Sequence, residues 1–291
     1  MALRLTRRRG LYAPAFNRTI DQILAEPPPD TANSGLFPEM HARIELIKAQ
    51  VPARFKIGFP GLQGPFNIAH AIAGSDVFMT PGDDPAKWHA LMERITTFWI
   101  EARQTLLRWI GEDRLAPIPY TWEPCITECS CNLISADFHK EFVLPYDRRI
   151  AAAFGSLHIH PCSGPHIFHA TLENLPVAAT EAGFIAQTAA GAIAVDEALA
   201  AIGQRPILLH IGQELPEGRE FAFICRDFDR YREHPRLLFA YTGMHWRRKD
   251  RPRIRELHRR LDDYWKSLEM HPPNPEAPFS EPLVQAGVSL S

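Results

Sequence analysis

Apolar residues recur along this chain in two rhythms. Short runs rich in branched and aromatic side chains predict strands over residues 55–59, 117–122, 157–160, 177–182, 207–211 and 237–241, with a less regular one over 221–225. Between them, apolar positions return every three or four residues and predict helices over 38–49, 85–109, 137–154, 195–202 and 252–268, the third interrupted near Pro145. In the helix over 85–109, Trp88, Leu91, Met92, Ile95, Phe98, Trp99 and Leu106 form one stripe, the face of a core helix or of a homodimer contact. Strand followed by helix, repeated, marks βα units and a mainly parallel sheet. The expected fold is α/β, a (β/α)8 TIM-type barrel shortened or incomplete at its N-terminus.

Punctuation divides the chain further. Residues 1–50, broken by Pro27, Pro28 and Pro29, read as an N-terminal arm and cap helix, 51–270 as the barrel, and 271–291 as a Pro-rich tail. No linker interrupts the middle, so a single domain is expected. The 291 residues, 45% of them hydrophobic, suffice for one large core, and a formal charge of −2 provides no global field for nucleic acid or an acidic membrane. No apolar run has the length of a membrane span and no apolar core of a signal peptide is visible, while five cysteines without a regular framework read as reduced thiols. A cytoplasmic protein is expected. Arg4, Arg7, Arg8, Arg9 and Arg18 precede the first acid, Asp21, and are read as a frayed basic terminus rather than a targeting peptide. The basic run 247–255 lacks aromatic interleaving and reads as a solvated helix start whose arginines pair with acids, so no nucleic-acid partner is expected.

Reactive residues gather where predicted strands end, which is where parallel α/β folds build their sites. The run 157–164 ends in His160, Cys162 and a Gly turn. Glu181 ends 177–182, His210 lies in 207–211, and His245 follows 237–241. Upstream, Cys129 and Cys131 stand at period-two spacing at a further presumed strand end. Thiolate and neutral imidazole suit Zn²⁺, and a catalytic zinc commonly keeps three protein ligands and one open position. His160 and Cys162 are the leading pair, and Cys225, His245 and Cys129 are each eligible as the third ligand. The bland alternative for the pair is core packing, since free cysteines are usually buried and inert. His166 and His169 ride on the helix that follows and are set aside.

Gly64-Pro65-Phe66 with Ile72 to Asp76, the stretch Leu133 to Tyr146, and His160-Pro161-Cys162-Ser163-Gly164 occur in an order that resembles the uroporphyrinogen decarboxylase and cobalamin-dependent methyltransferase superfamily. The resemblance runs over residues 55–268 and is most specific over 135–146. It implies a (β/α)8-type barrel with its pocket at the carboxyl ends of the strands, and relatives that dimerise. Decarboxylases of the family use an arginine-rich N-terminal segment that this chain lacks. Methyltransferases of the family use H-x-C and a later cysteine to hold zinc, which activates a thiol to take a methyl group from a corrinoid protein. Here the later turn, Thr242-Gly243-Met244-His245, has no cysteine. The resemblance therefore implies a zinc-dependent methyltransferase acting on a small molecule with a corrinoid (cobalamin) partner protein. His160 and Cys162 would bind metal, with Glu181 and His210 orienting substrate or ligands. Two rival readings are a metal-independent decarboxylase using Arg226, Arg230 and the arginines of 247–260, and a non-catalytic ligand-binding relative.

Overall fold

The structure is a computed structural model describing residues 18–116, 124–160, 164–182, 193–211, 219–231, 237–241 and 251–268. It is a mixed α/β protein, mostly helical, with a small parallel sheet. The chain divides into two compact units, Met1–Ile207 and Leu208–Ser291.

In the first unit, α1 (Ile20–Ala25), α2 (Phe37–Gln50), α3 (Pro65–Ala73), α4 (Asp76–Asp83) and α5 (Pro85–Ile110) precede any strand. The core is organised by α5. Its predicted stripe is buried at Trp88, Leu91, Met92, Ile95, Trp99 and Leu106, against α1, α2, α3, α4 and the later helix Leu144–Phe154 of the same chain, so the stripe is core rather than a free homodimer face. Asp84 caps its start by accepting from the Lys87 amide at 3.0 Å, Pro85 occupies the first turn, and Gly111 at φ 80° ends it.

Next come β1 (Cys125–Thr127), a 3-10 turn (Cys129–Leu133), α6 (Ala136–Phe142), α7 (Leu144–Phe154), β2 (Leu157–His160), α8 (Pro165–Asn174), β3 (Val177–Ala182) and α9 (Val195–Ile202). The predicted helix over 137–154 is two helices, parted at Val143 just before Pro145. β1 and β2 are parallel, with Cys125 opposite His158 and Thr127 opposite His160. β2 and β3 are also parallel, with an irregularity between Leu157 and His158 that brings Ala179 opposite His158.

β4 (Ile207–Ile211) begins on the last residue of the first unit, and the second unit holds the rest of it with α10 (Glu220–Tyr231), β5 (Leu237–Tyr241) and α11 (Arg251–Ser267). α10 and α11 pack through Phe228 and Trp265, whose ring centroids are 4.4 Å apart. Arg253 pairs with the buried Glu220 at 2.5 Å and Arg259 with Asp263 at 2.8 Å; residues 247–250 of the basic run lie outside the described residues.

Three strand expectations need correction. The run 221–225, Cys225 included, lies inside α10: Ile224 and Phe228 are buried four residues apart, a helical period that outweighs the local β-rich composition. The run 55–59 reduces to a single parallel bridge between Ile57 and Leu115. Cys129 and Cys131 do not share a strand face: the strand stops at Thr127 and they sit in the 3-10 turn, with Cys131 buried and Cys129 partly exposed. That turn is set by the Asn67 side chain, which accepts from the Ser130 amide at 2.8 Å and donates to the Thr127 carbonyl at 2.7 Å. The run 117–122 lies outside the described residues.

Candidate metal centre

Alternation along a strand sends every second side chain to the same face. Cys125 and Thr127 of β1, His158 and His160 of β2, and Ala179 and Glu181 of β3 therefore share one face of three neighbouring parallel strands, Cys125 opening β1 and Glu181 lying one residue before the end of β3. On that face the donor atoms of Cys125, His158 and Glu181 all lie within 4.8 Å of one another. Glu181 is the hub. Its Oε2 lies 2.5 Å from Nδ1 of His160, and its Oε1 lies 3.3 Å from Nε2 of His158. The second contact has the distance of an ion pair without the direction of a hydrogen bond, for neither ring nitrogen of His158 has a hydrogen-bond partner.

Burial makes these facts costly. His158 is 2% exposed and Glu181 8%, and buried polar groups are nearly always satisfied. An imidazole sealed in the interior with both nitrogens orphaned, beside a carboxylate and a thiol, fits a divalent ion better than a packed core. The thiol of Cys125 is pushed up to about 12 by burial first and by the Glu181 charge second, against the pull of Thr127 and Arg103. A free thiol of that kind is inert as a nucleophile, whereas metal coordination removes its proton. Burial pulls the His160 ring down, but its hydrogen bonds with Cys129 and Glu181 outweigh this and raise it to about 9. Zinc is the ion that such a Cys, His and Glu set suits.

Of the residues singled out in the sequence, the structure brings His160, Glu181 and Cys129 together. Cys162 and His245 lie outside the described residues. His210 is on β4, and Cys225 is half-buried on α10 in the second unit, its thiol raised to about 11 by burial and by Asp229. His166 and His169 do sit on α8, bonded to the Ile134 carbonyl at 3.0 Å and to Glu197 at 2.7 Å. Two members of the cluster, Cys125 and His158, escaped sequence reasoning. The His158-Ile159-His160 alternation was the available signal, since two histidines two apart on a strand must share a face.

Just past β1, the buried carboxylate of Glu128 accepts from the amides of Phe66 at 3.0 Å and Asn67 at 2.9 Å, satisfying the open first turn of α3 from across the fold. Its Oε1 would be 2.3 Å from a Cβ on Gly64, which is why the Gly64-Pro65-Phe66 motif begins with glycine. No protein-family model matches this chain, and none of the curated proteins matches it.

Proposed function

We propose that Cys125, His158 and Glu181 form a zinc site. We further propose that the chain is a zinc-dependent methyltransferase of the uroporphyrinogen decarboxylase-like kind, moving a methyl group between a corrinoid carrier protein and a thiol. The carrying observation is a thiol, an imidazole and a carboxylate within 4.8 Å of one another on three neighbouring parallel strands. Three protein ligands leave one position for a substrate sulfur. When bound, zinc deprotonates a coordinated thiol at neutral pH.

The chain's own residues do the positioning. His160 grips one oxygen of Glu181 and so turns the other toward His158 and Cys125. The inertness of Cys125 as a free thiol suits a ligand and not an attacking group. Low exposure of His158 and Glu181 keeps bulk water from competing for the ion. In this reading β1 to β3, with helices between them, belong to a (β/α)8 barrel. Among the described residues no helix is long and apolar enough to cross a membrane.

Elemental analysis of protein purified under reducing conditions tests the site. One zinc per chain is expected in the wild type and in His169→Ala, and at least about tenfold weaker binding in Cys125→Ser and His158→Ala. A wild type that binds no zinc removes the site. The reaction is read separately, from the absorbance change when methylcobalamin loses its methyl group to an added thiol. Zinc binding without that change would keep the ligands and discard the methyl transfer.

A further inference from the structure

On the opposite face of β1 and β2 lies a second polar centre, independent of the metal ligands. Leu157 and Ile159 line a narrow cavity together with Glu128, His139 of α6 and Asp147 of α7, with His160 at its edge. Its free space is about 10 Å³, room for a single water. His139 and Asp147 are each 1% exposed and Glu128 4%.

Their hydrogen bonds are unequal. Both oxygens of Glu128 accept backbone amides, the pattern of an ionised carboxylate. Oδ1 of Asp147 has no partner, and Oδ2 stands 3.9 Å from Nε2 of His139, beyond hydrogen-bond reach. Nδ1 of His139 is orphaned too. His139 supplies no compensating charge: burial first, then His166 of α8 and Lys140, lower it to about 4. The groups facing the Asp147–Glu128 pair are thus the buried Cys131 thiol and Cys129 of the 3-10 turn, neutral His139 of α6, and His160 at the cavity edge, whose charge is paired with Glu181 at 2.5 Å.

Two carboxyls cannot both ionise in so small a buried space at low cost. Burial raises Asp147 to about 8, and burial with the charge of Asp147 pushes Glu128 well above the ordinary carboxylate range. The pair competes for one proton. The two amide bonds favour the anion on Glu128, and Asp147 has no such bonds, so the proton belongs to Asp147.

We infer that Asp147 is held as a neutral carboxylic acid and that its proton keeps Glu128 latched as the anion on the start of α3, making the pair a pH-sensitive latch. Loss of that proton to solvent leaves two anions around one cavity, and the relief is for Glu128 to let go of Phe66 and Asn67. Asn67 also holds the turn after β1, through Ser130 and Thr127. Release at alkaline pH is thereby passed to the end of the strand that carries Cys125.

The linkage has a definite sign. The folded chain retains a proton that the unfolded chain gives up near the ordinary carboxyl value of 3.8. Stability from this group is complete below that value, declines as pH rises, and levels off once the folded group has titrated. The steepest decline is about tenfold in the folded-to-unfolded ratio per pH unit.

Asp147→Asn keeps the shape of the neutral acid and cannot titrate. In urea unfolding of the full chain from about pH 5 to about pH 9, the wild type is expected to lose stability relative to Asp147→Asn toward about pH 8 and then run parallel to it. Parallel curves throughout overturn the inference. Amide exchange at Phe66 and Asn67, corrected for its intrinsic rate, is expected to accelerate in the wild type above about pH 8 and not in the variant. Equal acceleration in both removes the latch. Should the variant not fold, the infrared carbonyl band of a buried carboxylic acid decides: present in the wild type near pH 6 and gone near pH 9 as expected, or absent at both and the inference fails.

Discussion

Gly64 offers the most demanding test of how the site's neighbourhood is held. Its φ is −66°, an ordinary backbone for any residue, so replacement by alanine brings no backbone strain. The cost is entirely side-chain overlap: the new Cβ would lie 2.3 Å from Oε1, 2.4 Å from Cδ and 2.8 Å from Cγ of Glu128. Carbon atoms pack at about 3.5–4.0 Å, so Glu128 must leave its seat. Leaving forfeits two charge-assisted hydrogen bonds of about 1.5–3 kcal/mol each, partly offset by rehydration of the carboxylate. A net loss of about 2–4 kcal/mol is expected for Gly64→Ala in urea unfolding at neutral pH. A double-mutant cycle with Glu128→Ala isolates the overlap. With the carboxylate gone, the same glycine substitution should cost less than about 1 kcal/mol, the ordinary difference between these residues at a helix start. Equal costs in the two backgrounds would show that overlap with Glu128 is not the cause.

Two further predictions concern the scaffold. Leu91→Ala, at a fully buried position of the α5 stripe, should destabilise by about 2–5 kcal/mol in thermal or urea unfolding; a loss under about 1 kcal/mol would mean that the stripe is not core. Ser135 caps α6 by accepting from the Phe138 amide at 3.1 Å, so Ser135→Ala should cost about 1 kcal/mol and Ser135→Asp almost nothing, measured in the same way.

The legible parts of the molecule were those written in local periodicity. The α5 stripe, the interruption at Pro145 and the strands over 157–160 and 177–182 each follow from side chains a few residues apart, because a helix or strand carries its pattern within its own length. Glu181 and His160 were readable as strand-end residues for the same reason. Cys125 was not, for a three-residue strand is too short to display alternation. The 221–225 segment misled because a cluster of apolar residues suits either period until its partners are known.

Sequence alone therefore determined the helix over 85–109, the strands over 157–160 and 177–182, and the placing of His160 and Glu181 near strand ends. The meeting of Cys125, His158 and Glu181 was decided by tertiary structure. It depends on β1 and β2 pairing with Cys125 opposite His158 and on the irregularity that sets Ala179 there too. A one-residue slip of either strand would turn its donor to the other face, and what resists the slip is the burial of Ile126, Leu157 and Ile159 behind the sheet. The same holds for Glu128, whose partners Phe66 and Asn67 lie some sixty positions away: burial leaves its carboxylate no other donors to take.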